Sequence, residues 1–321
     1  MIFEEYYYFR ELNNKNILIT GGTGFLGLWL LRILSTLTTL KKDIVFEITI
    51  LTRNKDKTSD FINDNNLYFN KINIIESDIR NAQNDNRFDY VIHAANDNTP
   101  KFVQNTELCV DTIINGTINI LRSLKETQKI VYLSSGAVYG DAKPASEDGF
   151  IEEQKSVFDL SQNYSNYGLN KSIAEKLIVN SSINFSILRC FSLIGPGMDL
   201  SGHFAFANMV KSALDIEDIN LKSNGNSIRN YIHPIDMAFI IIKSLFIKDN
   251  YICNTGSENI SILGLAKKVA AITNQKINIG KELDIKRLKY IPNLNKFNKM
   301  NFHQTLRIEE MVSRTLKYYD N

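Results

Sequence analysis

Residues 16–27 read Asn16-Ile17-Leu18-Ile19-Thr20-Gly21-Gly22-Thr23-Gly24-Phe25-Leu26-Gly27. The short apolar run before the glycines predicts a buried strand, and the glycines end it. From 25 to 40, apolar residues recur at helical spacing, so the glycines turn the chain from strand into helix. Each glycine then has its own task. Gly21 permits the tight turn, Gly24 lets backbone approach a pyrophosphate, and Gly27 lets helix and strand pack closely. The helix N-terminus adds free N–H groups and the positive end of its dipole. An ordinary glycine turn can carry the same string, but it lacks this strand–turn–helix setting.

Outward from the turn, short β-rich runs alternate with longer helical ones. Strands are predicted at 46–51, 72–75, 90–93, 130–133 and 185–190, and helices at roughly 106–127 and 164–179. This alternation implies right-handed crossovers and a parallel sheet covered on both faces, an α/β fold of the doubly wound Rossmann type. Residues 1–190 are assigned to a domain that binds NAD or NADP. Beyond Cys190 the texture changes to glycines and polar loops among short helices at 204–214, 234–246 and 262–273. The strand-like 251–254 (YICN) is expected to rejoin the main sheet, so 231–258 returns to the first domain. Residues 191–321 then form mainly a smaller, interleaved α/β region for substrate. The run Tyr6, Tyr7, Tyr8 and Phe9 is read as a helix against the outside of the sheet rather than an aromatic ligand box.

Composition narrows the function. The 321 residues are 44% hydrophobic and 22% charged, which excludes disorder as the dominant state. Lys and Arg number 37 against 35 Asp and Glu, a net charge of +2, so no strong field is aimed at nucleic acid or anionic lipid. Cys109, Cys190 and Cys253 are dispersed, as are His93, His203, His233 and His303; neither a disulfide framework nor a metal site is expected. Glu4, Glu5, Arg10 and Glu11 interrupt any signal-peptide pattern, and the apolar stretch 237–242 is far short of a membrane span. A cytoplasmic chain with no nucleic-acid or membrane partner is the expectation.

Three further segments carry chemistry. The second strand ends Leu51-Thr52-Arg53-Asn54, where an acid would accept from the ribose 2′-hydroxyl of NAD. Arg53, with Lys55 close behind, suits the 2′-phosphate of NADP instead, unless it is merely a solvated cation. NADP(H) is thus the preferred cofactor and NAD(H) a possible one. Asp78 follows the third strand where an acid can accept from an adenine amino group. Tyr167 and Lys171, four apart, share one helical face. An ammonium beside a phenol stabilises phenolate, making the tyrosine a usable acid or base near neutral pH. Finally, Ser134-Ser135-Gly136-Ala137-Val138-Tyr139-Gly140 closes the fifth strand, and in an open parallel sheet ligands bind beyond the carboxyl ends of the strands. Ser135 can hold a substrate oxygen there, or simply cap the strand.

Taken together the chain resembles the extended short-chain dehydrogenases/reductases of the NAD-dependent epimerase/dehydratase family. The resemblance runs through GGTGFLG, Val91-Ile92-His93-Ala94-Ala95, SSGAVYG and Tyr167-Gly168-Leu169-Asn170-Lys171. It continues through Leu188-Arg189-Cys190-Phe191-Ser192, Gly195-Pro196-Gly197, Asn224-Gly225-Asn226 and Arg229-Asn230-Tyr231-Ile232-His233. Asp236, Asn254, Gly256 and Ser261-Ile262 also fit. It implies Ser135, Tyr167 and Lys171 as catalytic residues. Around the cofactor it places Gly21, Thr23, Gly24, Phe25, Leu26, Gly27, Arg53, Asp78, Ile79, Ala94, Ala95, Leu133 and Cys190, with Tyr167 and Lys171. For substrate it implies Ser135, Ser192, Asn208 (after His203) and Arg229, the last gripping a diphosphate. His93 and His233 are read as structural.

The departures are informative. Dehydratases of this family carry an acidic pair where this chain has Gly136 and Ala137, and some epimerase-reductases carry cysteine at the Ala137 position. Ser192 replaces a common Asn, Ile194 a common Tyr, and Ile113 stands where many members have Asn. The resemblance therefore implies NAD(P)H-dependent reduction of a nucleotide-activated 4-keto-6-deoxyhexose at C4, on a nucleotide-diphosphate sugar. A 4-epimerase with tightly bound NAD and a non-catalytic dinucleotide sensor are the alternatives. A homodimer formed through the helix before Ser134 and the helix bearing Tyr167 is the expected assembly.

Overall fold

In the computed structural model, which describes residues 9–82, 87–97, 99–201, 204–283 and 288–320, Asn16–Thr20 forms β1. Ile17, Leu18 and Ile19 are almost wholly buried, as expected of a strand covered on both faces. β1 lies parallel to β2 (Glu47–Thr52) on one side and to β4 (Tyr90–His93) on the other. β3 (Lys71–Glu76) extends the sheet beside β2, and β5 (Lys129–Ser135) extends it beside β4. With β6 (Phe185–Cys190) and the strand Tyr251–Thr255, the seven-stranded order is Tyr251–Thr255, β6, β5, β4, β1, β2, β3. The YICN segment thus does rejoin the main sheet. Strand order reverses between β1 and β4, and open α/β sheets bind ligands beyond the strand ends at such a reversal. Thr20 pairs with both Leu51 and His93, so the carboxyl ends of β1, β2 and β4 are level.

The helices sit close to their expected ranges, with local reasons for their ends. Phe25–Leu40 starts at Gly24, Lys55–Asp64 is capped by the Asn54 side chain, and Ile262–Thr273 by Ser261. The helix expected over 106–127 is instead three pieces: Thr106–Cys109, a π-helical Val110–Asn115, and Gly116–Ser123. The Gly116 N–H reaches back five residues to the Asp111 carbonyl, and the Thr117 hydroxyl takes the Ile113 carbonyl at 2.6 Å. Periodicity over a dozen residues does not register one inserted residue. Tyr6, Tyr7 and Tyr8 lie outside the described residues; Phe9 is buried with its ring 6.2 Å from that of Phe239, and Arg10–Leu12 forms a 3-10 turn.

The chain divides into two compact units. The first comprises 1–134, 166–188 and 238–252, and the second 135–165, 189–237 and 253–321. The first contains β1 to β4 and the helix Phe25–Leu40. In the second, Ile228–Ile232 pairs antiparallel with Glu258–Ser261 and parallel with Lys289–Tyr290 and Ser192–Leu193. Helices Ala205–Leu214, Ile262–Thr273 and Ile308–Asp320 pack on one another there. Among the described residues, no helix is long and apolar enough to cross a membrane.

Candidate active site

The glycine turn is built by backbone crowding. Gly21 has φ of +73°, and a Cβ there would lie 2.8 Å from the Ala94 carbonyl and the Ala95 nitrogen. A Cβ on Gly27 would meet the Gly21 and Gly22 carbonyl oxygens at 2.3–2.4 Å, so the first helical turn lies directly on the end of β1. Gly24 is different: a Cβ there would touch only the Gly21 carbonyl, at 3.4 Å. Gly24 and Thr23 are exposed, while Phe25 and Leu26 are half-buried behind them. The helix N-terminus is thereby bare on its outer side, and N–H groups placed there suit an anion.

Beneath the turn lies a buried polar chain. The backbone N–H groups of Ala94 and Ala95 donate to the Thr20 hydroxyl oxygen at 3.2 and 3.0 Å. That hydroxyl lies 2.9 Å from His93 Nδ1, and His93 Nε2 lies 3.1 Å from the Thr117 hydroxyl. Burial, and secondarily the Lys171 charge, push the His93 pKa down to about 3. The imidazole is neutral at physiological pH.

At the end of β2, Arg53 is exposed and no acid precedes it. Asp78 receives Arg80 in a fork, with Nε and Nη2 at 2.9 and 2.8 Å and the Arg80 backbone N–H at 2.9 Å. The Arg80 hydrogen bond, with smaller help from the Arg53 charge, holds its carboxyl below the usual range. The sequence reading gave Asp78 to adenine; the structure adds Arg80 as its immediate partner. Ile79 is buried and sits against Gly116, where a Cβ would come within 3.1–3.2 Å of it.

Tyr167 and Lys171 lie on the helix Ser165–Val179. Lys171 is 2% exposed, and its Nζ donates to the Leu133 carbonyl of β5 at 2.7 Å. The same ammonium stands 4.6 Å from the centre of the Tyr132 ring and 5.9 Å from that of Tyr167. One turn further along the helix, the Glu175 carboxylate accepts from the Ser134 hydroxyl. The helix is thus pinned to β5 at two levels. The Tyr167 hydroxyl accepts from Asn96 Nδ2 at 2.8 Å, a contact the sequence reading missed. The available signal was position: Asn96 directly follows Ala94 and Ala95 at the end of β4.

In the second unit, Ser135 caps a 3-10 turn, Gly136–Tyr139, and its Oγ accepts the Ala137 N–H at 3.1 Å. That bond leaves the hydroxyl proton available to another acceptor. A Cβ on Gly136 would lie 2.7 Å from the Tyr290 hydroxyl and 2.9 Å from the Phe191 ring. Those rings belong to an aromatic cluster: Tyr139 stacks on Phe150 at 4.5 Å, and Phe191 and Tyr290 are 4.8 Å apart. Tyr139 itself is tied inward, donating to Asn254 Oδ1 and accepting from Arg189. Arg229 is half-buried on Ile228–Ile232 with Nη1 on its neighbour's carbonyl, and Tyr290 is its register partner. Ser192 sits half-buried on the short strand Ser192–Leu193 and Cys190 half-buried at the end of β6, while Asn208 is exposed on Ala205–Leu214. His203 lies outside the described residues. His233 is buried, its Nδ1 accepts the Ile235 N–H, and burial lowers its pKa to about 4.

Known proteins resemble this arrangement at several levels. Among curated relatives, UDP-glucuronic acid decarboxylase 5 of Arabidopsis thaliana is 24% identical over 280 residues, 83% of this chain and 77% of that one. Among solved structures, the UDP-N-acetylglucosamine 4-epimerase of Methanobrevibacter ruminantium, in complex with UDP-N-acetylmuramic acid, superposes with a TM-score of 0.77. It is 21% identical, and the match covers 96% of this chain and 98% of that one. The UDP-glucuronic acid 4-epimerase of Bacillus cereus, in complex with UDP-glucuronic acid and NAD, gives a TM-score of 0.75 at 20% identity over 94% and 98% of the two chains. Residues 17–251, from the first strand of the sheet to its edge strand, match the family described as NAD dependent epimerase/dehydratase, and the chain belongs to that family.

Proposed function

We propose that this chain reduces a nucleotide-activated 4-keto-6-deoxyhexose at C4, using a nicotinamide dinucleotide and a proton from Tyr167. The observation that carries the reading is the Tyr167–Lys171 pair, with the buried Lys171 ammonium fixed on the Leu133 carbonyl beside the phenol ring. The residues present fit a dinucleotide. The bare Gly24 and the helix N-terminus suit a pyrophosphate, and Gly21 holds the turn that aims them. Ala94, Ala95, Leu133 and Cys190 are assigned to the nicotinamide side, Asp78 and Ile79 to adenine. Arg53, with Leu51 and Thr52 before it where an acid would read NAD, favours the 2′-phosphate of NADP(H), although the similar epimerase was solved with NAD.

When bound, the dinucleotide supplies hydride to C4. The chain's own residues handle the charge this creates on the C4 oxygen. Tyr167 donates the proton, and Lys171 stabilises the phenolate left behind. Asn96 holds the phenol oxygen in place, so the donor is aimed before substrate arrives. Ser135, oriented by the Ala137 N–H, directs its proton at the same substrate oxygen. Arg229 is assigned the diphosphate, which its planar fork suits, and Ser192 and Asn208 the sugar and the nucleotide.

Crowding at Gly136 argues against dehydration. An acidic side chain there would have to displace Tyr290 and Phe191, so the chain lacks both the acid and the room for it. Incubation with a nucleotide-glucose and NAD should give no 4-keto-6-deoxy product. A 4-epimerase is the second reading, favoured by the likeness to two UDP-sugar 4-epimerases. Nucleotide 4-keto sugars offered with NADPH or NADH separate the two. A reductase oxidises one cofactor per product, whereas an epimerase interconverts sugars with no net consumption. Turnover of neither kind would leave a dinucleotide-binding sensor.

A further inference from the structure

The buried chain from Ile113 to Ala95 can be solved for its protons. Thr117 has one hydroxyl proton, and it goes to the Ile113 carbonyl at 2.6 Å. Towards His93 Nε2, 3.1 Å away, Thr117 can therefore only accept, which requires Nε2 to carry hydrogen. On the other side, the Thr20 hydroxyl oxygen accepts the Ala95 N–H at 3.0 Å and shares the Ala94 N–H with the Thr20 backbone carbonyl, each at 3.2 Å. Its own proton has His93 Nδ1 at 2.9 Å to receive it, so Nδ1 is bare. An imidazolium would set Nδ1–H against the Thr20 hydroxyl oxygen, which already accepts the Ala95 N–H, and strand the Thr20 proton. It would also add a second cation next to the Tyr132 ring, whose centre is 5.2 Å from the His93 ring and 4.6 Å from the Lys171 ammonium.

We infer that His93, locked as the neutral Nε2–H tautomer, is a positioning residue for the dinucleotide turn, tying the π-helical Val110–Asn115 to Ala94 and Ala95. Gly21 packs on those two residues with no room for a Cβ. A displacement of the Ala94–Ala95 backbone is therefore passed to the glycine turn, and through it to the bare helix N-terminus. The Ile113 carbonyl, which also accepts the Gly116 N–H, takes the Thr117 hydroxyl proton and so fixes which way that hydroxyl donates. This role rests on the dinucleotide-binding reading above.

Two measurements on the full chain test it. Long-range ¹⁵N–¹H NMR of the imidazoles at neutral pH should give His93 a protonated Nε2 and an unprotonated Nδ1. The opposite tautomer, or an imidazolium, overturns the inference. Thr117→Val keeps the shape but removes both the acceptor for His93 and the donor to Ile113, whereas Thr117→Ser keeps the hydroxyl. Dissociation constants for NADPH and NADH, read by fluorescence without sugar, should rise about tenfold in Thr117→Val and stay within about twofold in Thr117→Ser. A folded Thr117→Val that melts lower but binds both dinucleotides as wild type does would make the chain merely structural and reject the positioning role. Wild-type protein binding neither dinucleotide would refute the functional reading and the positioning role together, leaving the tautomer to stand or fall on the NMR result.

Discussion

Acid should unfold this protein through two buried histidines, one in each unit. His93 has its pKa lowered to about 3 and His233 to about 4, in both cases mainly because burial disfavours the charged ring. In the unfolded chain both return to about 6.5. Between pH 6.5 and 4 the unfolded state therefore binds more protons than the native state, and stability falls as pH falls. The full effect is present above pH 6.5 and is lost progressively below it. For His93 the loss at pH 5 is about 2 kcal/mol, and His233 adds about 2 more. A total of about 4 kcal/mol is a large share of an ordinary folding free energy of roughly 5–15 kcal/mol. Urea unfolding followed by circular dichroism at pH 7.5, 6.5, 5.5 and 5.0 measures it directly. Near pH 5 the two rings together should contribute a slope of nearly two protons. Glu152 and Asp236, whose carboxyls burial pushes up, work in the opposite sense, so the comparison is with His93→Asn: a pH dependence identical to wild type would show that His93 is not buried neutral, and the network around it would be wrong.

Other outcomes follow from the site and from one strained loop. Tyr167→Phe should lower turnover by about 10²–10⁴ with little change in substrate binding. Ser135→Ala should cost less, and Lys171→Met should damage both turnover and dinucleotide affinity; steady-state kinetics with directly measured dissociation constants will tell. Arg53→Ala should weaken NADPH by about ten- to a hundredfold, equivalent to roughly 1.5–3 kcal/mol, and leave NADH nearly untouched. Equal losses would mean that Arg53 does not read the phosphate. Ile216 is 89% exposed at φ +56° after the helix Ala205–Leu214, a left-handed conformation that β-branched residues avoid. Ile216→Gly should raise stability by about 1 kcal/mol, visible in the melting temperature, because relief of strain outweighs the added chain entropy.

The sheet was readable because its inner strands are mostly apolar runs between glycine and polar breaks, and β1 with its glycine turn set the frame. That Tyr167 and Lys171 share one helical face was readable for the same local reason, a spacing of four, while their roles came from the family resemblance. What escaped the sequence is what depends on residues far apart in it. Phe191 and Tyr290 fill the space next to Gly136, yet they stand more than fifty and more than a hundred and fifty positions away. The absence of an acid at Gly136 was visible in the sequence; the absence of room for one was not. Asn96 reaches Tyr167 only because β4 ends near the helix Ser165–Val179. Arg80 folds back on Asp78, a fork that spacing alone does not distinguish from two solvated charges. The π segment at Val110–Asn115 is a one-residue insertion, too small to disturb a hydrophobic period read over several turns.

The chain passes from one unit to the other at Ser134–Ser135, Ser165–Asn166, Leu188–Arg189, Met237–Ala238 and Ile252–Cys253. Neither unit is therefore a continuous stretch that a single truncation could release. Were the second unit to melt alone, the first would be left holding two open loops of about 30 and about 50 residues. Closing such loops costs about 3 kcal/mol each by the logarithmic scaling of chain entropy. That sum rivals the whole stability of a typical domain. The threading of the chain thus couples the two units more firmly than a linker would. It favours one shared transition in urea, and it makes any exchange of the substrate-side unit between relatives a matter of several simultaneous splices.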